Sequence, residues 1–359
     1  MTKNSALIGR GKIVLAVLLV VSASVGLARA AEKNNYQATI LVGNETNEGF
    51  PVVDPLLRNA WGLAASPTSP WWVADNGTNF ATLYTGAGAK VNLEVVVPGA
   101  PTGEVFYGGS QFLLSNNAPA RFLWAAEDGT FSAWNGTLDN TSVPQHSEVI
   151  FSDPGSIYKG LAVHGDALYS TDFGSCEVEA FTGNPFDQTF AEFDTAGGFE
   201  DDTIPAGYCP FGIQAIGDSI FVTYALKSGI DDVSGQGHGF VREFGTDGNL
   251  IAPVADHGQL NSPWGVAPAP SDFGRFSGCL LVGNFGDGTI NAYCKDDEGE
   301  WHFGGTLREG KRPLVIEGLW GIAFGHGEGS NSGPSNTLFF TAGPDDEENG
   351  YFGKIEVAQ

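Results

Sequence analysis

Basic residues are scarce: 17 Lys and Arg stand against 42 Asp and Glu, a formal charge of −25 over 359 residues. A surface this negative repels phosphate, which excludes nucleic acid and anionic membranes as partners. Long apolar runs are scarce too. Ile13 to Leu27 is one such run, and nothing after it reaches spanning length, so no membrane span is expected in a mature chain. The closing residues Lys354 to Gln359 carry no hydrophobic anchor. Cysteine is limited to four residues without Cys-x-x-Cys spacing, which argues against a thiolate metal site. Gly-x-Ser-x-Gly, Walker and His-Glu-x-x-His patterns are missing, and six scattered histidines assemble no triad from spacing alone.

What is present starts with an address. Lys3, Arg10 and Lys12 precede the apolar stretch, and Ala28-Arg29-Ala30 offers a small-x-small cleavage site. Residues 1–30 are therefore expected to be a signal peptide cleaved near Ala30, with a secreted or periplasmic product of residues 31–359. Its removal leaves 13 basic against 42 acidic residues, a formal charge of −29. Hydrophobic residues at 42% supply ample surface for a core, while 51 glycines argue for many turns and against long helices. An all-β fold is expected.

The cysteines fit an oxidising compartment. Cys279 and Cys294 sit symmetrically on two apolar runs about the turn Asn284-Phe285-Gly286-Asp287-Gly288, which pairs them and leaves Cys176 with Cys209.

Self-similarity decides the architecture. Trp61-Gly62-Leu63-Ala64 recurs as Thr102-Gly103, Lys159-Gly160, Phe211-Gly212, Trp264-Gly265 and Trp320-Gly321, with glycines 41, 57, 52, 53 and 56 residues apart. That period suits a four-stranded propeller blade. Six units predict one six-bladed β-propeller over residues 31–359, with glycine where inner strands converge and aromatic rings filling the wedges between sheets. The last unit offers three strands, ending at Tyr351 to Val357, so the strand from Tyr36 to Val42 is expected to complete it and remove an exposed edge. A monomer is expected.

Trp72-Val73-Ala74-Asp75-Asn76-Gly77 resembles an NHL-type propeller repeat. Asn59 to Ala64, Asp231 to Val241, Leu260 to Gly265, Leu281 to Gly288 and Phe340 to Glu347 resemble an uncharacterised family of exported bacterial six-bladed propellers associated with PEP-CTERM sorting. The resemblance implies a fold and no established activity. A Pro-Glu-Pro motif is absent here.

Loops after the second strand and before the first gather at the channel mouth, where propellers bind ligands. Aligning the second strands places Asp75, Glu127, Asp172 and Asn284 at equivalent positions, oxygen donors that would suit calcium. The competing reading is that each bonds the backbone of its own turn. Asp231-Asp232 and Asp345-Asp346 add acid to the same face as ligand-binding candidates, the second pair also as a calcium loop outside the EF-hand pattern. His238 is the candidate general base if a metal activates water. No organic cofactor is expected. Asn-x-Thr/Ser triplets at Asn44, Asn76, Asn135 and Asn140 read as turns. Two functions follow. One is noncatalytic binding of a small molecule, glycan or protein at the acidic mouth; the other is a calcium-assisted hydrolase or lactonase, by analogy with gluconolactonase-like propellers.

Overall fold

Short apolar runs joined by turns of a few residues are too closely linked for a parallel crossover, so consecutive runs pair antiparallel, and six such meanders follow one another along the chain. The computed structural model describes residues 1–2, 33–46, 48–183 and 190–358. The expected signal peptide lies, apart from its first two residues, outside the described residues. In the unit Lys33–Gln359 the chain forms six sheets with an inner strand each, at Ala60–Ala64, Pro101–Phe106, Tyr158–His164, Tyr208–Ile216, Pro263–Pro268 and Leu319–Phe324. These are blades 1 to 6. Helix among the described residues is limited to two three-residue turns, Asn76–Thr78 and Gly274–Phe276.

Blade 6 closes the ring as expected. Its three sequential strands end at Tyr351–Val357, and Tyr36–Gly43 pairs antiparallel with that strand, from Tyr36↔Val357 to Gly43↔Tyr351. The first described strand and the last therefore share one sheet, and a free edge becomes a ladder.

The six hub glycines are where neighbouring blades touch. A Cβ on Gly62 would fall within 3.0 Å of Thr102 O in blade 2, and each subsequent glycine meets the next inner strand in turn. Gly103 meets Leu161, Gly160 meets Ile213, Gly212 meets Trp264 O, Gly265 meets Trp320 O, and Gly321 meets Trp61 O. The ring of contacts is closed. Threonine hydroxyls reinforce it: Thr102 donates to Tyr158 O at 2.8 Å, Thr171 to Phe211 O at 2.8 Å and Thr341 to Trp61 O at 2.5 Å, each from one blade to the next. Between the sheets lie separate apolar clusters. Trp71, Val73, Phe339 and Phe352 pack between blades 6 and 1, and Trp72, Phe122 and Trp124 between blades 1 and 2.

Both expected disulfides are present. Cys279–Cys294 joins the residue just before the second strand of blade 5 to the third strand, with 4.4 Å between Cα atoms. Cys176–Cys209 ties a blade 3 turn to the blade 4 inner strand at 4.6 Å.

Candidate functional site

Immediately before each hub glycine stands one residue; five of the six, Trp61, Lys159, Phe211, Trp264 and Trp320, touch one another at one end of the axis, while Thr102 bonds backbone carbonyls between blades. Aromatic rings fill this end. Trp320 lies between Trp61 and Phe285, stacked at 3.6 and 3.8 Å between ring centroids, with Trp264 edge-on at 5.9 Å. Trp61 and Trp320 are 2% and 1% exposed, so their work is packing: they plug the channel and make a floor. Above it opens a cavity of about 560 Å³.

Its walls are acidic. Glu127, Asp231, Asp232, Asp287, Glu317, Asp346 and Glu347 line it, and among the described lining residues Lys159 is the sole Lys or Arg. Lys159 is 3% exposed, with Nζ 2.5 Å from Glu127 Oε1, 3.6 Å from Asp231 Oδ1 and 5.3 Å above the Trp61 ring. Asp231 and Asp232 are carried by a short hairpin in which they pair with Ser228 and Lys227 at the end of the second strand of blade 4. Asp345, Asp346 and Glu347 follow the second strand of blade 6 in left-handed backbone, with φ of 56°, 52° and 66°. Three such residues in succession cost roughly 1–2 kcal/mol each, a strain that concentrates at functional sites.

A hydrogen-bonded belt joins the acids to the floor. Trp320 Nε1 donates to Asn59 Oδ1 at 2.9 Å, and Asn59 Nδ2 donates to Glu347 Oε2 at 2.5 Å and to Asn76 Oδ1 at 3.1 Å. Asn76 Nδ2 then donates to Glu127 Oε2 at 3.0 Å, and Glu127 holds Lys159. Asn59, itself left-handed at φ 44°, Asn76 and Lys159 are the site residues that sequence reasoning missed. Lys159 had a signal: it is the lone cation at a hub position that four other blades fill with Trp or Phe.

Burial is the first cause that raises the carboxyl pKa of Asp232 and Glu347, and repulsion from Glu127 adds to it at Glu347. Asp232 Oδ2 has no hydrogen-bond partner among the described residues. Burial likewise raises Asp75 and Glu104 well above the usual range and lifts Glu179 to about 7. An acid with a raised folded pKa keeps its proton in the fold after the unfolded chain has lost it. Stability therefore falls as pH climbs from the unfolded value to the folded one, by about 1.4 kcal/mol per pH unit for each fully buried acid still protonated. Asp139, Asp247 and Asp296, held low first by hydrogen bonds from Ser142, Asn249 and the Glu300 N–H, oppose this at lower pH from the surface. The expected result is a higher Tm at pH 5.5 than at pH 8; a Tm that climbs steadily over that interval would contradict it.

The four residues expected to ring a cation do not converge. Inner-strand residues Ala60, Pro101, Tyr158, Pro210, Pro263 and Leu319 pair with Asp75, Ala126, Asp172, Tyr224, Asn284 and Ala342, so Ala126 holds the place assigned to Glu127. The blade 2 turn has three residues between its paired strands where blade 1 has four, which moves Glu127 one place on and into the cavity. Asp75 is fully buried between blades. Asp172 accepts from the N–H groups of Ile157 at 2.8 Å and Gly174 at 2.7 Å, and Asn284 Oδ1 accepts from Asn261 N at 3.1 Å. Among the described residues no group of three or more His, Cys, Asp or Glu is arranged to hold a metal ion. His238 bonds through Nδ1 to Val233 O at 2.8 Å and stays off the cavity wall. Asp231, Asp232 and Asp346 line the cavity, whereas Asp345 accepts from Asn349 Nδ2 at 2.8 Å.

No protein-family profile matches the chain. In fold it is similar to the soluble aldose sugar dehydrogenase of Escherichia coli in the apo form, with TM-score 0.52 and 13% identity over 90% of this chain and all of that one. A streptogramin B lyase structure gives TM-score 0.51 at 12% identity over 90% and 98%. At such identities the likeness is one of fold. Two relatives in sequence are viral proteins, and no link to PEP-CTERM sorting accompanies them. Uncharacterized protein L690 of Acanthamoeba polyphaga mimivirus is 30% identical over 324 residues, 84% of this chain and 81% of the viral one. Uncharacterized protein R648 of the same virus is 31% identical over 336 residues, 89% of this chain and 80% of that protein, and the chain belongs to the family these proteins form.

Proposed function

We propose that this protein is an exported binding module whose channel-mouth cavity takes a small, amine-bearing ligand, such as a polyamine or an amino sugar. The observation that carries the reading is the wall itself: seven carboxylates line a cavity of about 560 Å³, with Lys159 as the one Lys or Arg among the described lining residues. Carboxylates accept hydrogen bonds and cannot donate while ionised, so the matching ligand donates, and a cation also relieves the repulsion among Glu127, Asp231 and Glu347. The volume is that of an ordinary small-molecule pocket. Binding without turnover fits a site whose acids are fixed by Asn59, Asn76 and Lys159. Export fits two disulfides and a positively charged, apolar leader sequence.

Titration calorimetry with spermidine, glucosamine, glucose and calcium chloride tests this. Spermidine or glucosamine should bind saturably, at least tenfold more weakly after Asp232→Asn with Glu347→Gln, and glucose should not match them. Equal binding by the double variant, or saturable calcium binding with no response to any amine, would overturn the reading in favour of the metal-dependent one.

A further inference from the structure

The opposite end of the channel is a different environment. The residue after each hub glycine is Leu63, Glu104, Leu161, Ile213, Val266 or Ile322, so five blades supply an aliphatic side chain to this layer and blade 2 supplies a carboxylate. A sixth aliphatic residue there would avoid the desolvation of a carboxyl. Glu104 is 6% exposed, and neither carboxylate oxygen has a hydrogen-bond partner among the described residues. The indole N–H of Trp124, the neighbour that favours its charged form, is itself outside bonding geometry. Asp75, the nearest other acid acting on it, is also buried and unbonded, and Lys90 is taken by Asp54 and Glu94. A buried, unpaired carboxyl costs several kcal/mol and is retained where something else completes it.

That something has room. Glu104 lines a cavity of about 340 Å³ whose other walls include Leu63, Val105, Val266, Ile322 and Phe324. Gln214 and His326 are the other polar side chains on its wall. Mostly apolar side chains with one acid among them are the features of a site that orients one polar group and buries a hydrocarbon. We propose that this mouth is a second binding site, for a small alkylammonium ion whose head meets Glu104 and whose hydrocarbon lies against the aliphatic ring. The head supplies the donors that the oxygens lack, and its charge favours the ionised form of Glu104, so the proton that burial keeps on the carboxyl leaves as the ammonium binds. The hydrocarbon leaves water for the apolar walls. This site is independent of the acidic cavity, from which the aromatic plug separates it along the axis.

The test is calorimetric titration of the full chain with n-hexylammonium chloride. A saturable binding step is expected that Glu104→Gln weakens at least tenfold and that Asp232→Asn with Glu347→Gln in the other cavity leaves unchanged. 1-Hexanol, of the same length without the charge, should bind at least tenfold more weakly than the amine. Glu104→Leu, which completes the aliphatic layer, should raise Tm and abolish that binding step, and it supplies a folded reference if the glutamine variant does not fold. Absence of saturable binding, equal affinity for the Glu104→Gln or Glu104→Leu variant, or equal affinity for hexanol would each overturn the proposal.

Discussion

Gly212→Ala is expected to lower stability by about 3 kcal/mol, which for a chain of this length is a Tm fall of about 5–10 °C. The added Cβ would collide with the carbonyl oxygen of Trp264 and approach Thr223 Oγ1 to 2.9 Å. Neither neighbour yields cheaply. Trp264 belongs to the inner strand of blade 5, and Thr223 Oγ1 accepts from Gly212 N at 2.8 Å. Moving blade 4 outward would strain the next contact in the ring, because each hub glycine abuts the following blade. Gly136→Ala is the control: its added Cβ meets only Trp134, at 3.7 Å, and the residue is exposed, so the change should stay within about 0.5 kcal/mol. Thermal melts of the two variants check the pair. A Gly212→Ala chain as stable as the parent would mean that the hub is not close-packed.

The hub shows why some of this molecule was legible from its sequence. Gly62, Gly103, Gly160, Gly212, Gly265 and Gly321 recur because one backbone approach recurs six times, and a repeated constraint leaves a repeated letter. Closure was legible for a related reason: a three-stranded last unit and an unpaired strand at Tyr36 are two halves of one sheet. Cys279 and Cys294 could be paired because the turn between them fixes which strand positions face each other. The site was harder because its residues break the repeat. Glu127 was aligned by letter with Asp75, yet a turn one residue shorter moved it onto the cavity wall, and spacing alone does not report turn length. Lys159 and Glu104 were visible only as members of repeat units, and their meaning came from what the other blades carry at the same height. Asn59 was invisible for a different reason: its bonds to Trp320, Glu347 and Asn76 join segments up to 288 residues apart.

Trp320→Ala is expected to be the most damaging single change at the acidic mouth, removing about 3–5 kcal/mol and, on the reading above, amine binding with it. Two losses combine in it. The ring leaves a void between Trp61 and Phe285, against which it stacks on both faces, and Trp264 and Phe211 lose an edge contact at 5.9 and 5.8 Å. Its N–H also disappears, which leaves Asn59 Oδ1 without its donor in a residue 3% exposed. Leaving that acceptor unmet costs about 1–3 kcal/mol and frees the amide that orients Glu347 and, through Asn76, Glu127. Trp320→Phe separates the two. It keeps a ring in the stack and removes the N–H, so it should recover more than half of the stability lost in the alanine variant while still weakening spermidine binding severalfold. Melting and titration of both variants check this. If phenylalanine restored stability and affinity together, the Asn59 belt would have no part in holding the carboxylates, and the plug alone would account for the role of Trp320.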